Sequence, residues 1–388
     1  ASDVYKRQVA GDSETKGNNT VDGNQTVKGD ATVNGSTQID KDLSVKGNES
    51  VDGSSTIGGD SHVQGSQTVD KDQTVGGNTQ VKGNQTVDGS STIGGDAEVK
   101  GNTQLDKDLS VKGNESVAGS STIGGDSHVQ GSQTVDKDQT VSGNATVKGD
   151  STVNGNQTVD KNSHVKGNQT VDGTSTLTGD VTTGSNVTVG KDLTTNGNSE
   201  TKGNSTVDGN ATVKGDVTIN GSTQIDKDLS VKGNESVDGS STIGGDSHVK
   251  GSQIVDKDQT VGGNETVKGD ATVNGNQTVD KDSHVKGNQT VDGTSDLKGD
   301  VTMEGNASVA KDFSVNGNTS LKDTKVDGTL ETTGNATFDA DTETKGNATV
   351  DGNSTVKGDS DVQGNGHVGK DLTVDGTSDL KGDVTMEG

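Results

Sequence analysis

A six-residue unit recurs along nearly the whole chain and fixes the spacing of its apolar side chains. The unit reads Val-x-Gly-(Asn/Asp)-x-(Thr/Ser), as in Val21–Thr26 and again in Val27–Thr32. Every sixth residue from Val9 to Leu321 is Val, Ile or Leu, apart from Met303 and four threonines. Those threonines are Thr15, Thr183, Thr195 and Thr201. A short period kept over this length predicts stacked coils rather than a globular domain with a pocket.

Composition alone is that of a disordered chain, and the repeat is the argument against disorder. The sequence is 22% apolar and 1% aromatic, contains 60 Gly, no Pro and no Cys, and carries a net charge of −26. Disordered segments have no reason to place an aliphatic residue at every sixth position, so we expect an ordered chain. Without cysteine there are no disulfides or thiolate metal sites. The acidic balance disfavours nucleic acid as a partner, and no apolar run is long enough to insert in a membrane.

Each place of the hexad, counted from its aliphatic residue, has a predicted role. The aliphatic first place faces the interior on a β-strand, and the Thr or Ser at the sixth place faces outward. Gly at the third place and Asn or Asp at the fourth form a corner, since these residues tolerate positive φ. Corners of the type Asp-Lys-Asp, as at Asp40–Asp42 and Asp70–Asp72, are predicted to be alternatives with local charge pairing.

The fifth place is predicted to be mostly solvent-facing, which leaves a narrow core of stacked valines. An unpaired carboxylate costs several kcal/mol to bury, and the place often holds Gln or Glu instead of Ala or Ser. The polar examples are Gln25, Glu49, Gln67, Gln73, Gln85 and Glu115, and the small ones are Ala31 and Ser55. The match to the hexapeptide β-helix of acyltransferases, which has a small inward residue here, is therefore partial.

Second-place lysines reveal a longer period of 18 residues, which is three hexads. Lys214, Lys232, Lys250, Lys268 and Lys286 follow one another at this spacing. Three hexads suit a triangular coil with three faces. The predicted fold class is therefore all-β, a β-helix or β-solenoid of stacked hexapeptide repeats with triangular 18-residue coils.

Two architectures share this triangle, and the sequence leaves both open. In a single-chain solenoid residue i stacks on residue i+18 at roughly 4.8 Å, which would align the five lysines in one repulsive column. In an intertwined homotrimer residue i lies near residue i+6 of another chain, so that Asp22, Lys28 and Asn34 would alternate favourably. Electrostatics favour the trimer, whereas precedent for six-residue coils favours the single chain.

Three segments are predicted. Residues 1–8 break the repeat, and Ser2–Gln8 resembles a translated sequencing-adapter end, so we expect an artefact of sequencing or cloning. Residues 9–325 form one continuous β-helix. Residues 326–388 continue it after a one-residue slip, because the unit Leu321–Lys325 has five residues. Since Val374–Gly388 repeats Val291–Gly305 and then stops, we also expect a fragment of a longer repeat protein.

No catalytic, cofactor-binding or metal-binding residue is predicted, and we do not expect an enzyme. The histidines all occupy the sixth place and are too far apart to form a ligand pair. They are His62, His128, His164, His248, His284 and His367. The Ile57–Asp60 segment only weakly resembles calcium-binding nonapeptide repeats, whose nine-residue period is absent.

The strings Thr152–Val159 and Gly143–Asp150 resemble the "TVxGNxTVxG" tracts of marine bacteriophage tail-fibre proteins and of bacterial surface and adhesin-like proteins. The resemblance covers about residues 9–388. It implies a β-helical fibre, and members of this group tend to be trimeric shafts that carry receptor-binding tips. No tip is visible in this sequence.

The favoured function is a non-enzymatic structural fibre, the shaft of a phage tail fibre or of a similar extracellular appendage. The alternative is a bacterial cell-surface or matrix filament, or adhesin stalk, that polymerises with itself. An ice- or cation-binding solenoid is the least favoured. The expected partner is the protein itself, as a homo-oligomer or an end-to-end filament, and a host receptor would bind through a tip outside this chain.

Overall fold

The computed structural model describes residues 6–326, 336–338, 342–344, 348–350 and 354–386. Within these residues every regular element is a β-strand. The chain divides into two compact units, Ala1–Lys325 and Val326–Gly388. The predicted artefact at residues 1–8 stays a prediction, although Lys6–Val9 forms a strand that pairs in register with Asn24–Val27.

The strands of the first unit follow the hexad closely. A three-residue strand begins at every sixth residue from Ser13–Thr15 to Ser295–Leu297, except that Asn24–Val27 has four residues. The longer strands are Val301–Val309 and Thr319–Val326, with Phe313–Val315 between them. Each short strand runs from the fifth place of one hexad to the first place of the next, and the intervening turn contains the second, third and fourth places.

All strands pair in parallel with the strands 18 residues before and after them, so three successive hexads make one coil. We call the three faces first, second and third, after their initial strands Lys6–Val9, Ser13–Thr15 and Asn19–Val21. The first face contains 18 strands. The predicted β-solenoid with 18-residue coils is confirmed. The pairing is that of a chain coiled on itself, and an intertwined trimer with neighbours six residues apart does not describe it.

The second unit keeps the same spacing. Its three faces have three strands each. They comprise Ala336–Phe338, Ser354–Val356 and Leu372–Val374; Thr342–Thr344, Ser360–Val362 and Ser378–Leu380; Ala348–Val350, Gly366–Val368 and Val384–Met386. Among its described side chains, Val356 and Val362 are the buried apolar ones.

The core of the first unit contains two inward places rather than one. First-place residues such as Val69 and Val171 are buried, as predicted, and the sixth-place residue between the two inward ones faces outward. The prediction that the fifth place mostly faces solvent is wrong, because Gln67 and Glu49 are 0% and 3% exposed. A three-residue strand alternates in–out–in, so both of its end residues point into the coil.

Three of the threonines at the first place are also buried, and two are offset by an apolar residue at the fifth place of the same strand. Thr183 follows Val181, and Thr195 follows Leu193, so polar and apolar residues exchange places within the strand. The packing here leaves a cavity of only about 10 Å³. That volume holds at most a single water molecule.

Candidate functional site

The corners carry a repeated hydrogen bond between side chain and backbone. The fourth-place side chain accepts from the backbone N–H of the fourth-place residue one coil later. Asp30 Oδ1 accepts from Asn48 N at 2.7 Å, and Asn84 Oδ1 accepts from Asn102 N at 2.9 Å. Serine takes the same role when Ser36 Oγ accepts from Ser54 N at 3.2 Å. This explains the preference for Asn, Asp and Ser at the fourth place, since each has a short acceptor side chain.

Glycine at the third place is required by close approach rather than by an unusual backbone angle. No described residue has positive φ, so the predicted reason for the corner glycine is wrong. A Cβ on Gly101 would lie 2.5 Å from the Gly83 carbonyl oxygen. The Gly101 N–H also donates to that carbonyl at 3.0 Å. Each corner glycine therefore rests directly on the corner of the preceding coil.

The Asp-Lys-Asp corners interrupt this ladder of glycine backbone bonds. The next coil still bonds to the lysine carbonyl, as Gly59 N does to Lys41 at 2.9 Å. Among the described residues, however, the Lys41 N–H makes no bond to Gly23 below it. The predicted local charge pairing is also missing, because no ion pair of the described residues includes Lys41 or Lys71.

Each face presents one outward column of side chains, at the sixth place. Threonine occupies it through six successive coils of the second face. These threonines are Thr122, Thr140, Thr158, Thr176, Thr194 and Thr212. The histidines lie in these outward columns and are half-buried, as their spacing predicts. His284 Nε2 is 3.8 Å from Glu304 Oε1.

Inside the coil, fifth-place amides and carboxyls form hydrogen-bonded networks. Gln67 Nε2 donates to Glu49 Oε2 at 2.7 Å. Gln67 Oε1 accepts from Gln73 at 2.9 Å and from Gln85 at 3.2 Å. Gln85 also donates to Gln73 Oε1 at 2.8 Å, and this oxygen accepts a further bond from Ser91 at 3.2 Å. Five polar side chains are therefore linked across three coils.

A second network surrounds Glu265, near the other end of the first unit. Its Oε1 accepts from Gln259 at 2.8 Å, and its Oε2 accepts from Gln277 at 2.8 Å and from Ser283 at 3.3 Å. Gln289 continues the chain by donating to Gln277 Oε1 at 2.6 Å. The carboxylate thus has three donors, and all of them are neutral.

Four glutamates are buried without a cation beside them. Burial raises the pKa of each to about 7, and the glutamine hydrogen bonds offset only part of that shift. They are Glu49, Glu115, Glu235 and Glu265. The negative charge of Glu235 contributes further to the raised pKa of Glu265. Because the inward places between residues 13 and 301 hold no Lys or Arg, the carboxyls are neutralised by protons.

Sequence reasoning missed this interior network, although a signal for it was present. Glu49, Gln67 and Gln85 are each 18 residues apart, which is the coil length indicated by the lysines. At that spacing a carboxyl or amide lies directly beside the next amide and can accept a hydrogen bond from it. The polar side chains therefore had partners that a residue-by-residue estimate of burial cost does not include.

The outer surface offers one groove of about 360 Å³, on the first face. It lies between a corner column and an outward column, and Asp60, His62, Gln80, Asp96 and Glu98 line part of it. Gln80 Nε2 donates to Glu98 Oε2 at 2.8 Å, and Lys100 forms an ion pair with Glu98 at 2.6 Å. Throughout the described part of the chain, no three His, Asp or Glu side chains are placed to hold a metal ion.

The described residues contain no helix that could cross a membrane. No family model matches the chain, and no curated protein or solved structure is significantly similar to it. The molecule is thus a β-solenoid repeat protein, defined by its own strand pairing and corner bonds.

Proposed function

We propose that the protein is a structural fibre whose stacked coils act as a spacer. The observation that carries this proposal is the unbroken 18-residue pairing from Lys6–Val9 to Phe313–Val315 on the first face. No longer connection interrupts the short strands between Ser13 and Leu297, so every coil in that range adds the same rise of roughly 4.8 Å. Such a stack suits length and stiffness better than chemistry on a substrate.

Of the possible settings, the shaft of a phage tail fibre or similar extracellular appendage is the one we favour. It is supported by the resemblance of Gly143–Asp150 and Thr152–Val159 to the repeats of such fibres. A bacterial surface or matrix filament is the second candidate. It is supported by the pairing edges of terminal coils, which are templates for another chain unless they are covered. The flanking reading frame separates the two: a receptor-binding tip supports the shaft, and an export signal or wall anchor supports the filament.

The spacer function predicts that length scales with coil number. A variant in which residues 127–180, three whole coils, are duplicated should lengthen by about 14 Å at roughly 4.8 Å per coil. Its circular dichroism should remain that of β-structure, and its melting temperature should not fall. Small-angle scattering and negative-stain images of the two proteins measure the increment. A longer chain with an unchanged maximum dimension, or a loss of β-structure, would contradict the spacer function.

A further inference from the structure

One corner column of the first unit changes from acidic to basic along the stack. It is the second-place column that follows the second face, where residues 18 apart lie on successive coils. Towards the C-terminal end it holds five exposed lysines, and towards the N-terminal end four exposed aspartates. The lysines are Lys214, Lys232, Lys250, Lys268 and Lys286, and the aspartates are Asp52, Asp70, Asp88 and Asp106. We call this the charged column.

The charged column is unfavourable within a single copy. Like charges repeat at roughly 4.8 Å along each half, and like charges on neighbouring strands destabilise a sheet. Among the described residues, none of the nine forms an ion pair with an opposite charge. His248, which lies in the adjacent outward column, has its pKa lowered by burial and then by the charges of Lys268 and Lys250. The repulsion therefore extends beyond the lysines themselves.

Sequence neighbours do not neutralise the acidic half. Lys71 and Lys107 follow Asp70 and Asp106, but a further carboxylate, Asp72 or Asp108, follows each of them. These turns remain net negative. The two halves of the charged column are separated by a nearly neutral interval, Gly124, Ser142, Asp160, Thr178 and Asn196.

We propose that two copies of this chain pair side by side and antiparallel through the second face, so that the acidic half of each charged column meets the basic half of the other. A two-fold axis lying across the second face places every column opposite its own counterpart. With that axis between Asp160 and Thr178, all four aspartates meet a lysine. The pairs are Asp52 with Lys286, Asp70 with Lys268, Asp88 with Lys250, and Asp106 with Lys232. The pairing deepens the proposed structural function, because it joins two shafts laterally.

The rest of the second face is compatible with this alignment. In the outward column Thr122 meets Thr212, and Thr140 meets Thr194, so small hydrogen-bonding side chains face one another. In the fourth-place column Asn84 and Asn102 meet Asp246 and Asp228. A single like-charged pair is formed over the paired span, Asp138 with Asp192. Identical coil spacing in the two copies keeps all of these pairs in register.

The size of the contact suits a stable dimer. Asp52 and Lys286 are separated by about 60 Å at roughly 4.8 Å per coil. A three-residue strand with one turn residue on each side is about 13 Å wide, so each copy contributes roughly 800 Å², which is the area of a standard interface. Charge complementarity then selects the partner and its direction.

Charge reversal with a matched control tests the pairing. By sedimentation, the unaltered protein should be a dimer. A variant with Lys232, Lys250, Lys268 and Lys286 all changed to Glu, and one with Asp52, Asp70, Asp88 and Asp106 all changed to Lys, should each dissociate with a Kd raised at least 100-fold. Mixing these two variants should restore a dimer that contains one copy of each. The control changes Lys112, Lys148, Lys166 and Lys202 to Glu, which alters net charge equally in another exposed column, and should remain a dimer.

Single cysteines test the direction of the pairing, since the chain has none of its own. Ser142→Cys and Asn196→Cys, mixed in equal amounts under mild oxidation, should form a disulfide-linked dimer, because these positions face each other across the two-fold axis. A parallel, staggered dimer would not form this link and would overturn the proposal, as would a monomeric unaltered protein or a control that also dissociates. Monomers that keep β-structure and lengthen with added coils would overturn the pairing alone and leave the spacer function standing.

Discussion

Two stretches of the first unit have the same coil and opposite interiors. Between Glu49 and Ser91 the fifth place is mostly Gln, Ser or Glu, and their side chains bond to one another. Between Val181 and Leu229 it is mostly Val, Leu or Ala, and the core is packed by apolar contact. Strand length, register and corner bonds are the same in both. The backbone and corners therefore define the coil, whereas the interior must only be filled and hydrogen-bonded.

The largest expected difference between the two stretches comes from removing a hub of the polar network. Gln67→Ala leaves Glu49 without its donor and Gln73 without its acceptor, and each unsatisfied buried group costs about 1–3 kcal/mol. We expect a loss of about 4 kcal/mol in local stability, measured by hydrogen exchange of the neighbouring coils. Val187→Ala in the apolar stretch removes only packing and should cost about 2 kcal/mol. Equal losses would show that the polar side chains do not act as a network.

The second difference is a dependence on pH that is confined to coils with an inward glutamate. A folded-state pKa of about 7, against an ordinary 4.5, means that the folded protein holds a proton which the unfolded chain releases. Stability is therefore full below about pH 4.5 and falls as pH rises to about 7, by about 3 kcal/mol for each carboxyl. Coils between Val181 and Leu229, which lack an inward glutamate, should show no such change.

Glu265→Gln tests this dependence directly. At pH 8 the variant should be more stable than the unaltered protein by about 3 kcal/mol in its local coils, and at pH 4.5 the two should be alike. Glu200→Gln is the matched control, because Glu200 is exposed in the outward column of the third face. Hydrogen exchange at the two pH values gives the comparison. If stability rises with pH around Glu265, the buried carboxyl is not the cause.

The smallest effect should be the same in the two stretches, because it concerns the corner. An added Cβ on Gly89 or on Gly197 would lie 2.6 Å from a carbonyl carbon of the preceding coil. Gly89→Ala and Gly197→Ala should each cost about 2 kcal/mol through overpacking. Gly17→Ala is the control, since nothing lies within 4 Å of a Cβ at that position. Thermal unfolding measures all three, and a clear difference between Gly89 and Gly197 would mean that the interior influences the corner.

The coil could be predicted from the sequence because its main determinants are periodic. The aliphatic first place, the outward sixth place and the 18-residue rise all follow from strand alternation and from the spacing of lysines such as Lys214 and Lys232. The preference for a trimer did not survive, since the lysine column that seemed too repulsive is present in the single-chain coil. Local repulsion between exposed charges is weak beside continuous backbone pairing.

The interior and the corners could not be predicted in full, because both depend on the coil above or below. Whether Glu49 can be buried depends on Gln67, which becomes its neighbour only once the coil is formed. The glycine at position 101 is needed because the Gly83 carbonyl lies against it, and its own backbone angles are ordinary. Sequence rules for single residues treat each position alone and so assign such residues to solvent or to special turns.

The corner bonds also give the stack a direction that bears on its synthesis. Each new coil donates its backbone N–H groups to acceptors already fixed in the preceding one, as Asn102 N does to Asn84 Oδ1. The N-terminal coils therefore form a finished template while later hexads are still emerging from the ribosome. Since every contact spans about one coil, the search for the next pairing does not lengthen as the chain grows. We expect the chain to fold during translation, one coil at a time from its N-terminal side.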